Sequence, residues 1–182
     1  LIVYYYKTKN VLANTVFQDV MIEMMGRIER DFAGEDTLTR FFISDFLYFR
    51  LLYEDAHFRD FIEACCLNGV LAKDPASLQE GYRRYYDAII DFFDDEYIQD
   101  STLREGLLAV FDGMKDTYSL HICRNHERLQ VDVAVTDYIT IYSHLMNIPS
   151  ETYGAKMLQA ELLTNQVEIS VDRFRFQIRQ AK

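Results

Sequence analysis

The chain has 182 residues, of which 49% are hydrophobic, and 29 acidic against 19 basic side chains give it a net charge of −10. This length is typical of one domain, and the apolar content excludes a disordered or fibrous protein. The acidic balance argues against a broad nucleic-acid-binding surface, since such a surface needs lysine and arginine to displace counterions from phosphates. No apolar run approaches the roughly 18 residues of a membrane span, and no secretory signal pattern opens the chain, so neither feature is predicted.

Only 2 prolines and 7 glycines interrupt the chain, and alternation of apolar and polar residues is nearly absent. The sequence therefore predicts an all-α helical bundle of about seven helices. The first helix is predicted from Lys9 to about Ala33. The second, from Leu38 to about Glu54, follows a capping residue at Asp36 or Thr37. It is apolar almost all round, which is typical of a helix in the middle of a bundle.

Three further helices are marked by their end signals. They are predicted from about Ala56 to Leu67, from Pro75 to about Tyr97, and from Ser101 or Thr102 to near Asn125. The pair Asn68-Gly69 is a helix C-terminal signal, and the pair Asp74-Pro75 combines an N-cap with a proline at the first helical position.

The last two helices are predicted to pack along their length. Apolar positions recur with a period of about 3.5 from Val131 to Leu145, stop at Pro149, and resume from Tyr153 to Ile178. Such a line of apolar positions is expected where helices pack within one chain, and also where two subunits pair. The length of the terminal helix favours pairing in a homodimer. The expected interface residues are Val135, Tyr138, Tyr142, Met157, Val167, Val171 and Phe174.

Residues 1–18 contain two lysines and no acidic residue, unlike the rest of the chain. Their first part, LIVYYYKTKNVL, resembles the end of the helix-turn-helix in the tetracycline-repressor (TetR) family of bacterial regulators. In that family a Tyr-x-Tyr-Phe stretch is followed by two residues, a lysine, two more residues and a leucine. The matching positions are Tyr5, Tyr6, Lys9 and Leu12, with Val3 in place of the first aromatic residue.

Tyr5 and Lys9 are the candidate contacts to the DNA backbone. A tyrosine hydroxyl and a lysine ammonium beside a helix N-terminus, with its free N–H groups and partial positive charge, suit a phosphate. Such contacts set the position on the duplex and read no bases. The resemblance implies that residues 1–12 are the end of the DNA-binding domain, that residues 13–182 form the ligand-binding and dimerisation domain, and that the base-reading helices lie upstream.

The resemblance also implies a cytoplasmic, dimeric transcriptional regulator, expected to be a repressor, that a small molecule releases from operator DNA. In the family the effector binds among the helices of the C-terminal domain, and the helix that here starts at Lys9 transmits its presence. Ligand and DNA then weaken each other's binding by the same factor. The alternative is an all-helical small-molecule-binding or protein-interaction domain without a DNA role.

An aromatic-rich interior predicts a pocket for an apolar or planar effector. The candidate lining residues are Phe42, Phe46, Phe49, Tyr86, Phe93, Phe111, Met114, Tyr118 and His121. His121 is either a polar group inside that pocket or a histidine satisfied by a neighbouring helix. Asp45 lies within an otherwise apolar helix and needs a partner if it is buried, for which Arg40, Arg50 or a ligand cation are the candidates.

The sequence predicts no enzyme, no cofactor and no metal site. It has no Gly-rich phosphate loop, nucleophile elbow or HExxH motif. Three cysteines without a CxxC pair indicate neither a disulfide framework nor a zinc ribbon, and they favour an intracellular location. His121, Cys123 and His126 are close in sequence, but on a helix the first two point to different sides.

Overall fold

The computed structural model describes residues 9–70, 79–93, 96–97, 101–173 and 175–180, except for the side chains of residues 85, 86, 101–109, 111 and 112. Seven helices and one two-stranded sheet occur in this part of the chain, which confirms the predicted helical bundle. The elements are α1 (Lys9–Asp31), α2 (Thr37–Glu54), α3 (Ala56–Leu67), α4 (Glu80–Phe93), α5 (Ser101–Asn125), α6 (Val131–Leu145), α7 (Ser150–Thr164), β1 (Val167–Asp172) and β2 (Arg175–Gln180). None of these helices is long and apolar enough to cross a lipid bilayer.

Local capping groups set several helix ends where the sequence predicts them. At the start of α2 the Asp36 carboxylate accepts a hydrogen bond from the Thr39 backbone N–H at 3.1 Å. After α3, Gly69 adopts a left-handed φ of 59°. The Val70 N–H then reaches back to the Cys65 carbonyl at 2.9 Å, which satisfies a carbonyl that the helix leaves free.

Helix α2 is the centre of the bundle, as its sequence predicts. Of its 18 residues, 13 are buried. It packs against α1, α3, α5, α6, α7 and β1. Helix α4 instead packs mainly against α1, and the start predicted for it at Pro75 lies outside the described residues.

The prediction of one terminal helix that reaches Ile178 is wrong. Helix α7 ends at Thr164, and the chain then forms an antiparallel hairpin in which Ile169 pairs with Ile178. The buried positions of the hairpin alternate along the strands and are Val167, Ile169, Phe176 and Ile178. Buried residues at every second position have the period of a strand. Some of the same apolar residues also fall at helical spacing, so the sequence pattern fits both a strand and a helix.

The hairpin closes against α1. The Arg27 guanidinium donates a hydrogen bond to the Ile178 carbonyl at 2.9 Å. The Phe176 backbone N–H donates to the Glu23 carboxylate, also at 2.9 Å. These two bonds fix β2 beside α1, because each uses a backbone group of β2 that its partner strand leaves unpaired.

Candidate functional site

Four of the phenylalanines predicted to line a pocket form the closed core. Phe42, Phe46, Phe49 and Phe93 are 0–1% exposed. The Phe42 ring packs on Tyr142 with centroids 6.0 Å apart, and the Phe49 ring packs edge-on against Tyr138 at 5.0 Å. These rings pack against one another and their neighbours in the hydrophobic core, and they contribute to its stability.

The other residues of the predicted pocket lie farther out. Met114 and Tyr118 are partly buried against the core, and the Tyr118 ring packs on Tyr138 at 5.4 Å. His121 is exposed, and its ring lies 3.3 Å from the side-chain nitrogen of Asn125 in the same helix. It is therefore not a polar group inside the core. The side chains of Tyr86 and Phe111, which complete the prediction, lie outside the described part.

Asp45 is fully buried, and its partners differ from those predicted. Its carboxylate accepts hydrogen bonds from the Lys115 ammonium at 3.0 Å and from the Tyr142 hydroxyl at 3.1 Å. Burial raises the pKa of Asp45, and the two donors oppose that rise. Of the arginines that the sequence offered, Arg50 bonds instead to Glu54. We call Asp45, Lys115 and Tyr142 the core network.

A cavity of about 400 Å³ lies between α1, α2 and α4. This α1–α2–α4 cavity is lined by Met25, Ile28, Glu29, Thr37, Arg40, Phe41, Ala88, Ile89 and Phe92. Its volume falls in the range of about 300–1,000 Å³ that is typical of small-molecule sites, and apolar side chains with few polar groups are the usual lining. Arg40 and Glu29 supply its charged groups.

The sequence did not identify this cavity because α2 is apolar on nearly every side. Both Phe41 and Phe42 are buried, but Phe41 lines the cavity and Phe42 does not. Likewise Phe92 lines it, and Phe93 is buried. Adjacent helical residues point about 100° apart, so a prediction shifted by one residue selects the wrong face. The helical spacing alone gives no means to choose between the faces of such a helix.

Lys9 is the first residue of α1, and it is exposed. Tyr5, the other predicted DNA contact, lies outside the described residues. Helix α1 continues without a break through residue 12, where the predicted domain boundary falls, to Asp31. The same helix contributes Met25, Ile28 and Glu29 to the α1–α2–α4 cavity.

Most of the predicted subunit interface lies inside the chain. Val135, Tyr138 and Tyr142 are fully buried against the other helices, and Val167 is buried in the hairpin, so a second copy cannot contact them in this fold. Met157 and Val171 are partly buried. Phe174 lies outside the described residues. Most of the apolar positions predicted for the interface therefore lie on the faces of these elements that pack inside the chain.

The outer faces of α6 and α7 carry exposed apolar side chains. Leu158 and Leu162 are 57% and 58% exposed, one turn apart on α7. Ile141 and Leu145 are exposed one turn apart on α6. Side chains four residues apart lie on the same face of a helix, so each pair forms an apolar stripe.

No group of three or more potential metal ligands occurs among the described side chains. Cys123 instead approaches the Arg59 carbonyl at 3.6 Å, and the His126 ring approaches the Cys123 carbonyl at 3.1 Å. Burial raises the pKa of Cys65 and of Cys123 to about 11, which keeps both thiols protonated at neutral pH.

The chain matches no family model, no curated protein and no solved structure.

Proposed function

We propose that this chain is the ligand-binding and dimerisation part of a DNA-binding transcriptional regulator that resembles the TetR family. The observation that carries the proposal is α1, a single helix of 23 residues. At about 1.5 Å per residue it spans about 34 Å. It joins exposed Lys9, which belongs to the segment that resembles the end of the TetR helix-turn-helix, to the α1–α2–α4 cavity. A ligand that shifts α1 would therefore also shift Lys9, the proposed contact to a DNA phosphate.

The effector is a small apolar or aromatic molecule in the α1–α2–α4 cavity. Met25, Ile28 and Phe41 are buried apolar residues that would pack against such a molecule. Arg40 would pair with an acidic group on it, because no acidic side chain of the described residues forms an ion pair with Arg40. The ligand acts as an inducer if it favours the α1 position that does not fit DNA.

The regulator is a homodimer through the outer faces of α6 and α7. The support is the pair of exposed apolar stripes, which a second copy would remove from water. Leu158→Glu with Leu162→Glu should convert the dimer to a monomer in sedimentation velocity. Leu67→Glu is the matched control, because Leu67 is 55% exposed on α3. Dimers that persist in the double variant would place the interface elsewhere.

The DNA role is tested with the full-length protein and fragments of genomic DNA. Lys9→Ala should weaken binding to all sequences about equally and lower the salt slope by about 1, since Lys9 contacts phosphate alone. Arg128→Ala, which removes an exposed charge far along the chain, should leave the affinity unchanged. Loss of binding to one sequence alone would contradict a backbone contact.

The effector site is tested with the fluorescent dye anilinonaphthalene sulfonate, an apolar planar anion. Ala88 lines the cavity and is exposed, so Ala88→Phe should fill the cavity without disturbing the core. The dye's fluorescence should rise with the wild type and with Ala56→Phe, an exposed alanine outside the cavity, and fall with Ala88→Phe. A dye that binds normally while the full-length protein binds no DNA would favour the alternative, a small-molecule-binding domain without a DNA role.

A further inference from the structure

Four arginines meet in an open cleft of about 700 Å³ between α1 and β2. Arg27 and Arg30 come from α1, and Arg175 and Arg179 come from β2. The acidic side chains in the lining are Glu23 and Glu29. We call this site the arginine cleft. Its local excess of positive charge contrasts with a chain whose net charge is −10.

Two of the four arginines, Arg27 and Arg179, already form hydrogen bonds with described residues, and the other two do not. Arg27 bonds to the Ile178 carbonyl and lies 3.5 Å from the Asp31 carboxylate. Arg179 donates to Gln177 on its own strand. In the described part of the chain, no ion pair or side-chain hydrogen bond engages Arg30 or Arg175. Their guanidinium groups thus have unused donors beside the cleft.

The arginines of β2 have carboxylates close by that they do not use. Across the hairpin, Arg175 pairs in register with Asp172, and Arg179 pairs with Glu168. Cross-strand neighbours of opposite charge usually attract each other. No ion pair nevertheless joins either arginine to a carboxylate among the described residues, and both line the arginine cleft. The carboxylate of Glu23, inside the cleft, accepts a hydrogen bond from the Phe176 backbone N–H.

Gly26 lines the arginine cleft without a side chain. It lies within α1 and lines the cleft, and a Cβ atom at this position would have no neighbouring atom within 4 Å. Glycine inside a helix costs roughly 0.5–1 kcal/mol relative to alanine, and no close packing here requires it. The absent side chain leaves room for a ligand against the helix backbone.

We propose that the arginine cleft binds a small anion with two or more acidic groups, such as phosphates or carboxylates. Guanidinium groups match both oxyanions with paired N–H donors. The cleft's volume suits a small molecule. This site differs from the apolar cavity of the proposed regulator, and its existence does not depend on any DNA role.

Thermal unfolding in the presence of pyrophosphate or citrate, at constant ionic strength, tests the proposal. An anion at roughly 100 times its Kd should raise the melting temperature by about 5–10 °C. The two probes separate phosphate from carboxylate recognition, and a rise with either one supports the site. No rise with either probe would overturn it.

Three variants locate the effect. Arg30→Gln with Arg175→Gln should weaken the anion's affinity at least about tenfold, measured by calorimetry, while the unliganded protein melts as before. Gly26→Leu should also weaken the anion's affinity, because it adds a bulky side chain at a position that lines the cleft. Arg128→Gln, with the same change of charge at an exposed site outside the cleft, should bind as the wild type does. Equal affinity in all variants would mean that the anion does not bind in the arginine cleft, and this result would overturn the proposal.

Discussion

The core network and the arginine cleft hold their charges in different ways. In the core, one carboxylate is matched by one ammonium and one hydroxyl, and Asp45 has no contact with water. In the cleft, four arginines face two glutamates beside open solvent. A buried charge must be compensated within the fold, whereas an exposed one is solvated and can be left for a ligand. Arginines that form no ion pair among the described residues are therefore found at the surface cleft.

The largest expected effect removes the ammonium from the core network. Lys115→Met leaves a buried carboxylate without its ion pair, which should lower the free energy of unfolding by about 3–5 kcal/mol in urea titrations at neutral pH. Arg30→Met removes a cation from the arginine cleft and should change it by no more than about 0.5 kcal/mol. Adding Asp45→Leu to Lys115→Met should restore most of the loss. If Lys115→Met and Arg30→Met both lower the free energy of unfolding by the same small amount, the contrast between core and cleft is wrong.

A smaller effect separates the arginines within the cleft. Arg27→Met removes the hydrogen bond to the Ile178 carbonyl, and we expect a loss of about 1–2 kcal/mol with faster amide hydrogen exchange in the hairpin. Arg179→Met is the matched control, because its contact is with a side chain of its own strand. Equal exchange rates in the two variants would show that Arg27 does not hold the hairpin on α1.

The sequence predicts the fold well where the signals are local. The ends of α2 and α3 depend on capping groups within a few residues, so they can be read directly. The hairpin depends on pairing between strands and on contacts with α1, which lies about 150 residues earlier. Helical and strand spacing overlap there, and only those distant contacts decide between them.

The core network and the cavity could not be predicted for a related reason. Asp45 takes its partners from α5 and α6, 70 and 97 residues away, rather than from the arginines on its own helix. An ion pair at such a separation follows from how the helices pack. The cavity depends on which face of α2 meets α1 and α4, and an almost wholly apolar helix does not specify that face.

The smallest expected effect concerns a carboxylate whose environment contrasts with that of Asp45. Burial tends to raise the pKa of Asp36, but hydrogen bonds from Lys156 and Thr39 outweigh it and lower that pKa to about 2. Asp36 is ionised at a lower pH when folded than when unfolded, so its contribution is present above about pH 4 and is lost as the pH falls towards 2. Asp45, with a raised pKa, changes stability in the opposite direction.

Asp36→Asn keeps an N-cap for α2 but removes the ion pair with Lys156, which lies 2.6 Å away. The pair is partly exposed, so we expect a loss of at most about 1 kcal/mol at neutral pH. The wild type and the variant should converge as urea titrations are taken from pH 4 down to pH 2, because protonated Asp36 no longer attracts Lys156. A difference that stays constant over this range would mean that the cap, rather than the charge, accounts for the stabilisation. Asp36 would then contribute to stability as a neutral hydrogen-bonding group does, and the contrast with Asp45 would rest on burial alone.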